Sequence, residues 1–301
     1  MQNVKSVLVV GATGFLGSEI CRQLTAMGKK VRALVRSTSD PSKIKSLQDL
    51  GIETVVGNIR DRSSLDAAME GAGAVISTVS STLSRIEGDS IETVDRQGQL
   101  NVVNAANDAG VDHFIYISFL ESPESFPLQD AKREVENKIM SSKMTYTILR
   151  PTFFMEVWLS SHLGFDVGNH KATIYGQGAN KISFIAIKDV AAFATASLDN
   201  SAAQNSIIDL GGPKALSPLE VVKIFEEQTG RDFQLQYVPE EALRMQRESA
   251  EDPLQQSFTG LMLTYAEGAE VPMVDTLRIF PMQLHSVNEF SRQFVTHEEA
   301  V

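Results

Sequence analysis

Three regularly spaced glycines carry the most specific chemistry in this sequence. Gly11, Gly14 and Gly17 form a G-x-x-G-x-x-G pattern between an apolar run and an amphipathic segment. In such a strand-turn-helix unit, the glycines permit a tight turn, close approach of the backbone to a pyrophosphate, and close packing of helix on strand. N–H groups at the start of the helix then bind the anion. We therefore predict a dinucleotide-binding loop made of Gly11, Ala12, Thr13, Gly14, Phe15, Leu16 and Gly17.

The residue that ends the second predicted strand indicates which dinucleotide is bound. NAD sites of this type place an acidic residue there, about 20 residues after the loop, to accept hydrogen bonds from the ribose hydroxyls. Arg36 occupies that place, and its planar guanidinium suits a 2′-phosphate. We therefore expect NADP (NADPH), with Lys43 or Lys45 as candidate helpers. The alternative is that Arg36 is an ordinary solvated surface charge.

Two later loops follow predicted strands and suit the same ligand. Asn58 and Ile59 follow the third strand, where a short polar side chain can contact the adenine edge, and Asp61 can equally serve as a helix cap. The loop after the fourth strand can line the ribose and nicotinamide, although a serine-rich turn also forms without a ligand. The cofactor contacts predicted in these loops are Asn58, Ile59, Thr78, Val79 and Ser80.

Alternating strand and helix patterns supply the frame for these loops. Short β-branched runs predict strands at 6–10, 31–35, 53–56, 74–78, 114–118 and 145–149. Longer amphipathic segments predict helices at 15–27, 41–50, 63–69, 91–109 and 129–141. Four of these helices are followed by glycines that accept a left-handed C-terminal cap, namely Gly28, Gly51, Gly71 and Gly110. The predicted fold class is α/β, a doubly wound parallel sheet with its ligand crevice at the carboxyl ends of the strands.

The pattern changes after Arg150-Pro151, which indicates a second lobe. The chain of 301 residues exceeds what one doubly wound sheet needs. We assign residues 1–151 to the dinucleotide-binding domain and 152–301 mainly to a smaller, substrate-side α+β lobe. Segments at about 183–198 and 207–211 are expected to return to the main sheet as strand, helix and strand.

Charge and composition argue against several classes of protein. The formal net charge of −11, with no basic block, disfavours nucleic acid as a partner. Cys21 is the one cysteine and cannot form an intramolecular disulfide, which fits a reducing compartment. No targeting segment and no run of about 18 apolar residues appears, so we expect a cytoplasmic protein without a membrane partner.

The sequence contains no pattern typical of a serine hydrolase or of a metal site. No Gly-x-Ser-x-Gly elbow occurs, which excludes the usual serine hydrolase arrangement. We also predict no metal site, because the histidines lack the spacing of metal ligands. These are His113, His162, His170, His285 and His297.

Four segments together resemble the NmrA-like branch of the atypical short-chain dehydrogenases/reductases. They are residues 11–17, 33–36, 57–61 and 146–151. The resemblance implies an extended Rossmann fold, with NADP across the strand ends and a small C-terminal lobe closing over the nicotinamide. Some members resemble isoflavone and quinone reductases, which pass hydride to a carbonyl, quinone or conjugated alkene. Others have lost chemistry and act as sensors whose partner binding depends on the dinucleotide.

The same resemblance identifies Lys132 as the residue nearest to catalysis. Most enzymes of the superfamily use Tyr-x-x-x-Lys, but the tyrosine position is Leu128 here, which carries no proton. Isoflavone-type reductases work with the lysine alone, so Lys132 is expected to bind the ribose and to act as acid or base. A surface lysine is the alternative. Ser118 is expected to orient a substrate carbonyl, or else to bond to the backbone, while Tyr116 is assigned to the core.

Large apolar side chains follow the predicted turn at Pro151. Where the resemblance places the nicotinamide and substrate, they suit a flat aromatic or quinone-like ligand, and they also suit a plain core between lobes. We assign Pro151 and Phe153 to the cofactor, and Phe119, Phe154 and Trp158 to the substrate.

Two functions therefore remain open. The first is an NADPH-dependent reductase of a small planar substrate, in which Lys132 and Ser118 are catalytic. The second is a non-catalytic NADP(H)-sensing regulatory protein with a protein partner, which the missing tyrosine favours. Nucleotide-sugar epimerisation is disfavoured because that chemistry also needs the phenol.

Overall fold

The computed structural model describes residues 5–84 and 86–294, so His297 lies outside the described residues. The strands are β1 (Ser6–Val10), β2 (Val31–Val35), β3 (Glu53–Val56), β4 (Ala72–Ser77), β5 (His113–Ile117), β6 (Thr145–Pro151), β7 (Phe165–Asp166), β8 (Lys171–Tyr175), β9 (Ser206–Leu210) and β10 (Gln234–Val238). The α-helices are α1 (Phe15–Ala26), α2 (Pro41–Asp49), α3 (Arg62–Met69), α4 (Gln97–Asp108), α5 (Pro127–Met140), α6 (Met155–Trp158), α7 (Ile187–Ala196), α8 (Pro218–Thr229), α9 (Glu240–Ser249), α10 (Pro253–Glu267), α11 (Val274–Ile279) and α12 (Val287–Arg292).

A seven-stranded sheet in the order β3-β2-β1-β4-β5-β6-β9 forms the frame. The strands from β3 to β6 pair in parallel. The strand order reverses between β1 and β4, and in open sheets of this kind ligands bind outside the carboxyl ends of the strands at such a switch point. The glycine loop directly follows β1, so it lies at this point. The predicted α/β fold class is confirmed.

Local sequence explains why these elements form. All five residues of β1 and of β5 are buried, as expected for parallel strands covered by helices on both faces. Helix α1 buries Leu16, Ile20 and Leu24, a spacing of four residues that keeps them on one face. Asp40 and Asp61 cap α2 and α3 by accepting from the backbone N–H groups of the second helical residues. Of the two roles that the sequence allowed for Asp61, contact with the adenine edge or capping of the helix, the structure shows the cap.

The predicted boundaries differ from the observed ones in a few places. The fourth strand begins at Ala72, two residues early, and β5 ends at Ile117, so Ser118 lies just beyond the strand. The predicted helix at 91–109 begins with one π-helical turn, Ile91–Arg96, before α4. All four predicted capping glycines have positive φ, between 69° and 78°.

The expected return to the sheet after residue 183 is only partly correct. Helix α7 and strand β9 form, and β9 lies next to β6. The strand predicted before the helix is absent from the described sheets, because residues near Ile185 make isolated bridges only, including the one between Phe154 and Ile185.

The chain divides into two compact units. The first comprises Met1–Phe119, Pro127–Arg150 and Val190–Ile208, with a core of aliphatic residues around Phe114 and Tyr116. The second comprises Leu120–Phe126, Pro151–Asp189 and Asp209–Val301, with an aromatic-rich core and a three-stranded sheet in the order β10-β8-β7. Among the helices described, none has the length and apolar character needed to cross a membrane. Within residues 5–84 and 86–294, no three potential metal ligands are grouped.

Candidate functional site

The glycine loop needs its first and third glycines for internal reasons. Gly11 has a φ of 93°, and a Cβ there would lie 2.5 Å from Thr78 Oγ1. A Cβ on Gly17 would lie 2.1 Å from the carbonyl oxygen of Gly11, closer than any real contact. The turn is closed by the Gly14 N–H, which donates to the Gly11 oxygen at 3.0 Å. These two glycines therefore fix how β1 turns into α1.

Gly14 has a different role, because a side chain there would meet far less obstruction than one at Gly11 or Gly17. Its φ of −82° is ordinary, and a Cβ would meet only the Gly11 oxygen, at 3.3 Å. Gly14 is also the N-cap of α1, and it offers no side-chain cap to the first turn of the helix. Free N–H groups at the start of a 12-residue helix, beside a residue without a side chain, fit a pyrophosphate. The loop thus suits the dinucleotide predicted from the sequence.

Arg36 follows β2 and is bound to another residue of the chain. Its Nη1 donates to Oδ2 of Asp89 at 2.7 Å, and Ser39 Oγ accepts from its backbone N–H at 3.0 Å. A second guanidinium, that of Arg60, lies 3.5 Å from Oδ1 of the same carboxylate. Arg36 after β2 and Arg60 in the loop after β3 therefore place two cations around one acidic side chain.

In the loop after β3, the polar Asn58 makes hydrogen bonds, whereas the apolar Ile59 is buried. Asn58 Oδ1 accepts from the Arg60 N–H at 3.1 Å, and the Asn58 N–H donates to Ser64 Oγ at 2.8 Å. Ile59 lies in the core of the first unit, and its carbonyl accepts from Asn101 at 2.9 Å. Any contact of Ile59 with a cofactor would accordingly run through its backbone.

The loop after β4 is tied to the glycine loop and to a buried carboxylate. Thr78 donates to the Val10 oxygen from its N–H, at 2.9 Å, so it lies beside the start of the glycine loop. Val79 accepts from Gln99 at 2.8 Å. The Ser80 hydroxyl lies 3.3 Å from Thr82 Oγ1. The next residue, Ser81, donates to Oδ2 of Asp95 from both its N–H and its hydroxyl. The predicted cofactor residues of this loop thus lie at the switch point of the sheet.

Lys132 is buried, so the surface-lysine interpretation is wrong. It is 6% exposed and stands on α5, with its Nζ donating to the Ile117 oxygen at 3.4 Å, at the carboxyl end of β5. Burial lowers its pKa from the ordinary value of 10.5, while the charges of Asp95 and Glu136 oppose that shift and Arg133 adds to it. A lysine with a lowered pKa, at the edge of the sheet that carries the glycine loop, is suited to acid-base work.

Two carboxylates surround Lys132 without forming an ion pair with it. Asp95 is fully buried on the π-helical turn, and its Oδ1 has no hydrogen-bond partner in the part of the chain that is described. Glu136 accepts from Arg150 Nε at 3.1 Å and also pairs with Arg133. Burial is the largest influence on Glu136 and opposes its ionisation, but the hydrogen bonds and charges of its neighbours, those of Arg150 and Arg133 among them, together outweigh it, so the pKa of Glu136 is lowered. Both carboxylates therefore favour the protonated, charged form of Lys132.

The other candidate groups near Lys132 are less available. Leu128, at the usual tyrosine position, is buried in the first turn of α5. Tyr116 is fully buried, as predicted, and burial raises its pKa well above 10. Ser118 is buried directly after β5, with its N–H donating to the Leu149 oxygen at 2.8 Å. Phe119 is half-buried, and its carbonyl accepts from Arg133 at 2.6 Å.

The candidates that follow Arg150 belong to the second unit. Phe153 and Trp158 are buried in its core, with ring centroids 4.6 Å apart, and Trp158 stacks on Tyr265 at 5.0 Å. Phe154 is half-buried. Pro151 is buried, and its carbonyl accepts from the Leu120 N–H at 3.0 Å. Phe153 and Trp158 thus form part of an aromatic core.

Sequence reasoning missed Asp95, Asp89 and Arg60. Asp95 could have been found, because it falls on the apolar face of the predicted helix at 91–109, four residues after Ile91, where a carboxylate is costly unless it is used. Arg60 lies in the loop after the third strand, where the sequence predicted the cofactor contacts Asn58 and Ile59. Asp89 had no signal, because residues 80–90 show no periodicity.

Comparisons with known proteins find similar sequences over most of the chain. A profile of the NmrA-like family matches residues 3–290. The photosystem II assembly factor Ycf39 of Synechocystis sp. is 31% identical over 244 residues, which cover 80% of this chain and 73% of that protein. The NAD(P)H azoreductase of Xenophilus azovorans is 30% identical over 228 residues, covering 75% and 74%.

One solved structure extends the likeness over nearly the whole chain. The structure of AtPrR2 with NADP+ and (+)pinoresinol is 25% identical in sequence and has a TM-score of 0.76. The match covers 97% of this chain and 99% of the other.

Proposed function

Because the chain belongs to the NmrA-like family, we propose that it is an NADPH-dependent reductase of a small planar substrate. The acceptor is a quinone, a carbonyl or a conjugated alkene. The observation that carries this proposal is the burial of Lys132 at the end of β5. The glycine loop after β1 and Lys132 belong to the same edge of one parallel sheet, so cofactor and proton donor can meet there.

The similar proteins support the cofactor and the type of substrate. A relative that is 30% identical is named for NAD(P)H and for azo reduction. The solved structure at 25% identity holds NADP+ together with (+)pinoresinol. Arg36, at the position where NAD sites carry an acid, favours NADP over NAD.

Lys132 supplies the proton in this proposal. Bound NADPH supplies the hydride, and the acceptor must gain one proton besides it. Nζ of Lys132 donates that proton and is reprotonated from solvent, and its lowered pKa makes it a better acid than an ordinary lysine. Asp95 and Glu136 keep the amine protonated before the transfer.

The test is steady-state oxidation of NADPH by the purified protein with a panel of quinones, other carbonyl compounds and enals. We expect turnover with at least one class, and a loss of about 100-fold or more in Lys132→Met. Lys138→Met is the matched control, because Lys138 is exposed on the same helix. An absence of turnover across the panel, or equal rates in Lys132→Met and the wild type, contradicts the proposal.

We keep residues 152–301 mainly as the substrate-side lobe, apart from Val190–Ile208, which belong to the first unit. Phe154 is the candidate there whose side chain is not fully buried. Phe154→Ala is expected to raise KM for the acceptor about tenfold without changing the Kd for NADPH. Phe290→Ala, at another half-buried aromatic residue of the same unit, is the control. Equal effects of both variants would rule out a specific substrate contact.

A second candidate function is regulation without catalysis. It is favoured by the buried Leu128 in place of a phenol and by the likeness to an assembly factor. A sensor must bind its protein partner with different affinities in the NADP+ and NADPH states, because linkage is reciprocal. Partner capture with each state of the cofactor tests this, and indifference to the cofactor excludes it.

A further inference from the structure

Two arginines and one aspartate meet where the adenosine end of the cofactor is expected. Asp89 Oδ2 accepts from Arg36 Nη1 at 2.7 Å, and Asp89 Oδ1 lies 3.5 Å from Arg60 Nη1. The Asp89 side chain is only 3% exposed, whereas the two guanidiniums are 37% and 36% exposed. The carboxylate therefore fills the space between two cations that still reach solvent.

The Asp89 carboxylate is held in the charged form. Burial alone would raise its pKa, but hydrogen bonds from Ser84, at 2.6 Å, and from Arg36, together with the charges of Arg36 and Arg60, lower it. Its backbone is fixed as well, because the Asp89 N–H donates to the Ile86 oxygen at 3.1 Å. An ionised acid therefore stands between the guanidiniums at neutral pH.

The location of this cluster points to a phosphate. Arg36 directly follows β2 and Arg60 lies in the loop after β3, and the two loops are joined by the Gly57 N–H, which donates to the Val35 oxygen at 2.9 Å. In the sheet, β2 lies next to β1, which leads into the glycine loop, and β3 lies next to β2. Paired guanidiniums bind carboxylate and phosphate with the same planar geometry. A phosphate carries up to twice the charge of a carboxylate, so both cannot share the site without repulsion.

We propose that Asp89 is a built-in competitor for the 2′-phosphate of NADP, and that Arg60 is a second ligand of that phosphate beside Arg36. The inference rests on NADP being the cofactor in the proposed function. NADP binds only when its phosphate displaces the Asp89 carboxylate from both arginines. NAD has no such group, so its affinity is independent of Asp89. The pair Asp89 and Arg60 thereby sets how strongly the site prefers NADP.

Calorimetric titration of Asp89→Asn with NADP, NAD and adenosine 2′-phosphate tests the competition. We expect NADP and adenosine 2′-phosphate to bind about 10- to 100-fold more tightly than to the wild type, with NAD unchanged. Glu87→Gln is the matched control, because it removes the same charge from an exposed residue two positions away. Asp89→Asn with unchanged NADP affinity, or with NAD and NADP altered equally, overturns the proposal.

Two further variants distinguish an effect on NADP binding from a loss of stability or of catalysis. Ser84→Ala removes the hydroxyl that holds Asp89 and keeps the charge, so it should raise NADP affinity by a smaller factor even if Asp89→Asn folds poorly. Arg60→Met in the Asp89→Asn background should weaken NADP about tenfold relative to NAD, and equal losses for both would remove Arg60 from the site. If these affinities shift as expected while no acceptor is reduced, the reductase function fails and the inference stands.

Discussion

Lys132 Nζ lies 5.3 Å from the centroid of the Tyr116 ring, over a tyrosine that is itself fully buried. The aromatic face stabilises the ammonium form, as cation–π contacts do. The charge of Asp95 acts in the same direction, against the burial that lowers the pKa of Lys132. The proton affinity of Lys132 is therefore set by its surroundings and can be tuned by changing them.

The pH dependence of turnover should report on Asp95. If the ammonium of Lys132 donates the proton, kcat/KM falls as pH rises through the pKa of Lys132. Asp95→Asn removes a charge that raises this pKa, so the alkaline limb should move to lower pH. Glu92→Gln, at an exposed carboxylate of the same helical turn, should leave the limb in place. An unmoved limb in Asp95→Asn would show that Lys132 is not the titrating donor.

Gly14 and Gly17 should respond differently to alanine. Gly17→Ala puts a Cβ against the Gly11 oxygen, and we expect a loss of about 3 kcal/mol or more in the free energy of unfolding. Gly14→Ala should cost about 1 kcal/mol at most yet weaken NADP binding at least about tenfold. Thermal melts and calorimetric titration separate the two effects. Unimpaired NADP binding by a folded Gly14→Ala would exclude close approach of the pyrophosphate.

Glu136 should stabilise the fold in a pH-dependent way. Burial acts to raise its pKa, but the hydrogen bonds and charges of Arg150 and other neighbours together outweigh burial and lower the pKa from the ordinary 4.5. The stabilisation is complete above the unfolded-state pKa and is lost as pH falls through the lowered value. Glu136→Gln should lower the free energy of unfolding by about 3 to 5 kcal/mol at neutral pH. In acid, where Glu136 of the wild type is itself protonated, the difference between the variant and the wild type should be smaller. Glu134→Gln, at a half-exposed neighbour, should stay within about 0.5 kcal/mol of the wild type in denaturant titrations.

Cys21 should be inert in the folded protein. It is fully buried in α1, and burial raises the pKa of its thiol to about 12. Since the thiolate is the reactive form, a thiol reagent near pH 8 should label the native chain more than about 1,000-fold more slowly than the unfolded chain. Labelling rates with and without denaturant measure this, with Cys21→Ser as the blank. Rapid labelling under native conditions would show that α1 opens easily.

Local sequence predicted most of the fold because its signals act between residues close in the chain. The G-x-x-G-x-x-G pattern, the buried runs of β1 and β5, and the glycines after four helices each depend on a few neighbouring residues. Arg36 was likewise located by its place after β2, whereas Lys132 was identified through the resemblance to the family. Cytoplasmic location and the individual cofactor contacts stay predictions.

Tertiary structure decided which side chains meet and which are buried. Arg36 and Asp89 are 53 residues apart, and no local pattern brings a loop acid onto the cation expected to bind a phosphate. Lys132 lies in a charged stretch whose composition is typical of a protein surface. Packing of α5 on the sheet nevertheless buries Lys132, and this burial lowers its pKa. The sequence allowed Phe153 and Trp158 to line a pocket or to belong to a core. In the structure Trp158 stacks on Tyr265 and belongs to the core of the second unit. The sequence determined the elements, whereas burial and long-range charge, which depend on all elements together, determined the chemistry of the site.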